Sequence, residues 1–416
     1  MKQFRKLWFY VRLGALSLAT ALRFLFLYPL SLGAGLFSGR SDNSDYNHPL
    51  ILYSQVPWWG VWQRPQEEAM GLSEFHHVMY VSPIQVHERL RRYSRYQPYV
   101  EISRGKGVEV FSPLIFSGNY KWGFIHSLNR ILIAAELRWF LRKEREVLFF
   151  TNSPFVDYLY ENLPVKGMYY DIIDDFASFE WAPPGSAEME KNIIEKADAV
   201  ITGTRYLRDS KKALAPSATF IPCGVNFSRF YLPEEKRPGK EPPELKGLPR
   251  PIIGYIGTLS ERIDTGILNG LAEKHPDASI VLIGPVHRKL GALEEKKNIH
   301  LLGLKKHEEL PDFLHHFKVA LLPFRLTKAA MAINPVKTLE YLAAGCVVVS
   351  TAIPDVVRFY SDIVIIASSP EDFIEKVGDI LHTPNEDLIR KGVEKAENST
   401  WEDMVRRIQD KIRETV

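Results

Sequence analysis

From residue 49 onward the chain alternates short apolar runs with longer stretches of helical periodicity, and this confines it to parallel sheets covered by helices on both faces. In the first half such runs are Leu50 to Tyr53, Val78 to Val81, Val108 to Phe111, Val147 to Thr151, Gly167 to Ile173, Ala199 to Thr202 and Thr219 to Ile221. A second series follows at Ile252 to Gly257, Ser279 to Ile283, Ile299 to Leu302, Val319 to Pro323, Val347 to Ser350 and Ile363 to Ile366. Residues 233–251, PEEKRPGKEPPELKGLPRP, separate the two series; Pro-rich and charged, they have no apolar period and are predicted to be a linker. A chain of 416 residues exceeds what one core usually supports. The expectation is therefore an α/β protein of two doubly wound domains, 48–232 and 252–400. A final helix, 401–416, carries Trp401, Met404, Val405, Ile408 and Ile412 at helical spacing and is expected to cross back to the first domain.

Composition narrows the function classes. Hydrophobic residues make up 45% of the chain and charged residues 25%, the balance of a globular protein. A net charge of +3 gives little field to gather nucleic acid, so no nucleic-acid partner is expected. Cys223 and Cys346 lie far apart and form no C-x-x-C pair, which argues against a disulfide framework or a zinc site. Ahead of the α/β body, residues 1–47 hold a Leu-, Phe- and Ala-rich stretch from Leu7 to Phe37 and a polar linker. Arg12 and Arg23 interrupt it as a secretory signal, and the run after Arg23 is short for a spanning helix and contains Pro29. On a helical wheel Arg5, Arg12 and Arg23 share one narrow arc, away from Leu7, Val11, Leu18, Leu22 and Leu25. An amphipathic helix lying in the headgroup layer at the cytoplasmic face of the membrane is the favoured reading; spanning, or packing on the protein itself, are the alternatives.

Two segments of the second half carry chemistry. IGYIGTLSERID, Ile253 to Asp264, is a strand running into a turn with Gly254 and Gly257, where backbone can approach a phosphate before the next helix presents its free N–H groups. Tight packing alone also produces such a turn, and G-x-G-x-x-G is missing, which argues against a dinucleotide enzyme. INPVKTLEYLAAGCVVVST, Ile333 to Thr351, reads as a loop, a helix with Lys337 and Glu340 near its start, a Gly345 stop and a buried strand. A cation at a helix amino end suits a diphosphate, and a carboxylate there can accept the hydroxyls of a ribose. The alternative is a surface ion pair, since residues three apart share a helix face.

These segments, taken with FIPCGVNFSRF, IVLIGP, NIHLLGLKKHEELP and VALLPF, resemble the donor-binding half of GT-B glycosyltransferases that build bacterial surface polysaccharides, over nearly all of residues 165 to 366. The resemblance implies two Rossmann-like domains facing across a cleft, with a nucleotide sugar bound by the carboxy-terminal one and the acceptor by the other. It implies that Gly257, Thr258 and Arg262 meet the diphosphate and Lys337 neutralises it. Glu340 would hold the ribose, Gly303 and Leu304 would contact the base, and Asn334 and Thr338 would complete the donor site. Many retaining members carry E-x(7)-E, but Ala332 stands where the first Glu would be. The N-P-x-K version is instead similar to inverting members, so inversion is favoured.

In the first half, MYYDIIDDF places Asp171, Asp174 and Asp175 at the end of a predicted strand, where crowded carboxylates can raise one another's pKa. Asp174 is the expected base, with Asp175 beside it; a helix N-cap or metal binding are the alternatives. No D-x-D occurs in the chain, and neither metal nor cofactor is expected. WWGVWQRPQ resembles an acceptor-side loop, with Trp62, Gln63 and Arg64 offered to the acceptor, against a core Trp cluster with an Arg salt bridge. The expected reaction uses a nucleotide-sugar donor, UDP-linked by preference, and a lipid-linked or glycan acceptor beside a membrane. A UDP-sugar epimerase and a catalytically silent sugar-binding scaffold are the rival readings.

Overall fold

The computed structural model describes residues 48–58, 62–85, 100–102, 107–117, 122–142, 144–179, 182–236, 239–287, 291–333, 335–383 and 386–415. The amino-terminal helix expected in residues 1–47 lies outside them, as does Asn334. Among the described residues no helix is long and apolar enough to cross a membrane.

The chain divides into two compact units. The first contains residues up to Thr202, Lys211–Thr219 and Val405–Val416, and the second contains Gly203–Ser210 and Phe220–Met404. The first is built on an eight-stranded sheet. In chain order its strands are β1 (Leu50–Tyr53), β2 (Val78–Val81), β4 (Val100–Ile102), β5 (Val108–Phe111), β7 (Val147–Thr151), β8 (Val165–Ile172), β9 (Ala199–Thr202) and β10 (Thr219–Phe220). Two-residue strands β3 (Ile84–Gln85) and β6 (Leu114–Ile115) pair separately. The spatial order is β10-β9-β8-β7-β1-β2-β5-β4, so β1 and β7 mark the point where the winding reverses. β1, β2 and β7 are buried along their whole length, as continuous apolar runs demand of strands covered on both faces. The short strand β4 pairs antiparallel to β5.

The second unit holds a six-stranded parallel sheet. Its strands are β11 (Ile252–Ile256), β12 (Ser279–Ile283), β13 (Ile299–Gly303), β14 (Val319–Leu322), β15 (Val347–Thr351) and β16 (Ile365–Ala367), in the order β13-β12-β11-β14-β15-β16. Its winding reverses between β11 and β14. In open α/β sheets that reversal opens a crevice at the carboxyl ends of the strands. The core is continuous from Ile252 through Val349 to Phe373.

The expected linker is the main difference from the sequence reading. Residues 233–251 group with the second unit, and Leu245 is completely buried in its core. One apolar anchor ties down a segment whose composition otherwise resembles free chain. The last helix, Trp401–Arg413, buries Trp401, Met404, Val405, Ile408 and Ile412. Its portion from Val405 onward belongs to the first unit, where Val405 lies on Gly71, Gln409 bonds His76 at 2.8 Å, and Tyr169 bonds Thr415 at 2.8 Å.

Candidate functional site

In the second unit the site begins where β11 and β14 part. The two strands are in register only at Ile253 with Val319 and Gly254 with Ala320, so Ile256 lies past their pairing. Buried backbone groups need partners, and Tyr341 supplies both: its hydroxyl accepts from Ile256 N at 2.8 Å and donates to Ile256 O at 3.1 Å. Tyr341 belongs to the helix Val336–Ala343, so this phenol fixes that helix against the end of β11. The helix stops in a Schellman turn, with Cys346 N donating to Tyr341 O, Gly345 N donating to Leu342 O, and Gly345 at φ +75°. Leu339 and Leu342 face the core, which leaves Lys337 and Glu340 on the other side.

Gly257 follows β11 at φ +151°, a conformation that side-chain-bearing residues rarely adopt, and a Cβ there would overlap Cε of Lys337. The lysine stem therefore lies directly on the glycine. Burial holds the Lys337 ammonium below its ordinary pKa; Glu340 opposes this and the Arg262 charge adds to it. Lys337 is partly exposed as a residue, yet it makes no ion pair with a described carboxylate, Glu340 included. A second positive charge, Arg262, thus acts on Lys337 beside a glycine turn and the start of a helix. Thr258, next to Gly257, is half-buried and its carbonyl accepts from the Tyr255 hydroxyl at 3.2 Å.

Glu340 turns instead to His307, whose Nε2 lies 3.1 Å from its Oε1. The other ring nitrogen, Nδ1, is 2.6 Å from an Arg229 guanidinium nitrogen. Thr338 is fully buried, and its hydroxyl has no hydrogen-bond partner among the described residues. Gly303 ends β13 at φ +67° with open space where a side chain would stand, and Leu304 beside it is 68% exposed. The reading of the sequence did not single out Tyr341, His307 or Arg229. The Tyr in LEY follows Glu340 directly, and Arg229 is the last residue but one of FIPCGVNFSRF, but neither segment by itself says which backbone or carboxylate it reaches.

The first unit gathers its charged residues at the carboxyl ends of the strands flanking its own reversal. Arg64 donates to Asp171 through Nε at 2.8 Å and Nη2 at 3.0 Å, and through Nε to Glu68 at 2.7 Å. Asn152 donates to Glu68 at 2.9 Å. Burial, and then Asp171, push the Glu68 carboxyl well above the usual carboxylate range. Arg64 is only 3% exposed and holds this interior cluster together. Trp62 donates to Glu67 at 2.7 Å and packs edge-on to Trp58, while Gln63 is exposed at the start of the helix Arg64–Leu72. Asp174 is half-buried just past β8. Asp175 precedes the short turn Phe176–Ser178 and pairs with Lys211 at 3.1 Å. Lys211 also binds Glu190 at 2.7 Å; against the pull of burial, these two carboxylates raise its pKa. Among the described residues no group of three or more His, Cys, Asp or Glu is placed to hold a metal.

Residues 250–383 match the family model of glycosyl transferases group 1. A glycosyltransferase assigned to teichuronic acid biosynthesis, TuaH of Bacillus subtilis (strain 168), is 23% identical over 193 residues, 44% of this chain and 49% of that protein. The match thus spans about half the length of that relative. Among solved structures, a sucrose-phosphate synthase from Thermosynechococcus elongatus superposes with a TM-score of 0.69 at 16% identity, covering 88% of this chain and 99% of that one. HepE from Anabaena, in complex with UDP and glucose, superposes with a TM-score of 0.63 at 11% identity, over 88% and 100% of the two chains. At these identities the superpositions establish the fold.

Proposed function

We propose that this chain, which has the GT-B fold and whose residues 250–383 match the family model of glycosyl transferases group 1, moves a sugar from a nucleoside-diphosphate sugar to an acceptor hydroxyl. The observation that carries this is the geometry at Lys337: its stem lies on Gly257 beside the start of the helix Val336–Ala343, with the Arg262 charge near it, and it makes no ion pair with a described carboxylate. Two positive charges at a glycine turn and a helix start favour an anion there, and the carboxyl ends of strands at such a reversal are where α/β sheets bind nucleotides. The TuaH likeness and the UDP held by HepE support a sugar nucleotide, UDP-linked by preference.

In this reading the diphosphate lies on Gly257, Thr258 and the first turn of Val336–Ala343. Arg262, Lys337 and the helix N–H groups take up the charge that develops as the bond from the anomeric carbon to phosphate breaks. Glu340 accepts the ribose hydroxyls, and Gly303 and Leu304 border the base. Asn334 and Thr338 stay assigned to the donor site. The acceptor oxygen forms the new bond to the anomeric carbon, and Asp174 takes its proton. Asp175 is less suited to that role, being paired with Lys211. Fully buried Ala332 stands eight residues before Glu340, where retaining relatives carry Glu, which supports inversion. No metal takes part in the proposed step. Gln63 and Trp62 remain candidates for the acceptor, which we assign to the lipid-linked class at the cytoplasmic face of the membrane because of the basic amphipathic stretch in residues 1–47.

The test is a panel of nucleotide sugars offered with lipid extract or with soluble sugars and sugar phosphates, read by mass, for the full chain and for a chain lacking residues 1–47. We expect one UDP-sugar to label a lipid-linked glycan, and the truncation to lower that labelling. Transfer only to soluble sugars, equally by both chains, would remove the membrane assignment. A rearranged free sugar nucleotide with no transfer would favour an epimerase.

A further inference from the structure

His307 and Arg229, which stand in line behind Glu340, are left over from the chemistry assigned above. Arg229 stands on the turn Phe227–Phe230, where Asn226 accepts from the Arg229 N–H at 3.2 Å, and His307 stands on the turn His307–Glu309 that follows β13. The imidazole is further confined by the ring of Phe230, edge-on at 5.5 Å. Both ring nitrogens are engaged, at 2.6 Å to Arg229 and 3.1 Å to Glu340, and the His307 and Glu340 side chains are only 18% and 13% exposed.

A guanidinium has donors and no acceptor, so Nδ1 must receive its hydrogen bond and the single ring proton must sit on Nε2. That proton points at Glu340 Oε1. Arg229 thereby selects the histidine tautomer that can hold the carboxylate, much as the outer partner of a metal-bound histidine fixes its tautomer. The second carboxylate oxygen, Oε2, receives no hydrogen bond from a described residue. We propose that His307, locked by Arg229, is the positioning residue that aims Glu340 at the ribose, and that it sets the preference for a ribonucleotide over its 2′-deoxy counterpart. The proposal rests on the donor-site reading. Its physical basis is separate: a carboxylate free to rotate accepts a hydroxyl weakly, whereas one tethered through a single oxygen presents the other in a fixed direction.

The experiment is calorimetric titration of UDP and of 2′-deoxy-UDP into the full chain and into Glu340→Ala, His307→Ala and His307→Gln variants. The wild type should prefer UDP by about tenfold or more, the range of a hydrogen bond to a charged group. Glu340→Ala should abolish the preference. His307→Ala should reduce it to about twofold or less by weakening UDP alone, and unchanged 2′-deoxy-UDP affinity in that variant reports an intact fold. His307→Gln should restore most of it, because one amide can donate to Glu340 and accept from Arg229. If Glu340→Ala removes the preference while His307→Ala keeps it, or if the Gln variant behaves like the Ala variant, the positioning role is overturned and the donor site stands. If Glu340→Ala itself leaves the preference intact, the ribose assignment falls, and this proposal with it.

Discussion

At the scale of single residues, the molecule treats its buried charges in two opposite ways. In the first unit Arg64 meets Asp171 in a bidentate pair, and Glu68 completes the cluster as a carboxyl pushed toward its neutral form by burial and by Asp171. In the folded chain Glu68 keeps its proton above the pH at which the unfolded chain releases it, so stability falls as pH rises from the usual glutamate range through the raised value. Glu68→Gln, which imitates the neutral acid, should therefore retain wild-type stability in the usual glutamate range and flatten the decline at higher pH. Asp171→Asn should lose about 3–5 kcal/mol by leaving Arg64 buried without its partner. Denaturant titration at several pH values measures both; a Gln variant as damaged as the Asn variant contradicts the assignment. Lys337 is the other kind, a cation that makes no ion pair with a described carboxylate. Its type and place were legible, since INPVKTLEY sets a lysine at a helix start. The partner choice of Glu340 was not, because His307 lies 33 positions away in sequence and nothing local announces it.

At the scale of elements, long apolar runs were read well because a strand covered on both faces has no other composition open to it. β1, β2, β5, β7, β9 and β12 occupy the expected residues. The pairs β3 and β6 were missed, as two-residue strands carry no period. So was β4, an antiparallel edge strand of three residues. The turn after β11 illustrates what spacing cannot convey: G-x-x-G could mean mere tight packing, and the structure adds that a side chain at 257 would strike the Lys337 stem. Gly257→Ala should consequently cost about 1–3 kcal/mol of stability from its φ of +151°. It should also weaken nucleoside-diphosphate binding about tenfold or more by displacing that stem. Gly123→Ala, with nothing nearby to meet, should leave both unchanged. Denaturation and calorimetry on the two variants decide it, and wild-type affinity in Gly257→Ala contradicts the packing argument.

At the scale of the whole molecule, two doubly wound sheets were predictable from the repeated strand series, but the unit to which residues 233–251 belong was not. Composition marked 233–251 as free chain, whereas Leu245 anchors it in the second core; the chain passes between units near residues 203–219, and again at Met404 within the last helix. Long-range packing decides such membership, and local polarity does not report it. The central claim is that the second unit binds a nucleoside diphosphate through Lys337. Its most direct test is calorimetric titration of UDP into the full chain and into Lys337→Met, which keeps the stem and removes the charge. The account predicts an affinity lower by about tenfold to a hundredfold in the variant, as expected for a charge-assisted hydrogen bond. It also predicts that wild-type affinity declines at alkaline pH as the already depressed Lys337 ammonium loses its proton. Equal affinities in the two proteins across that pH range would contradict it.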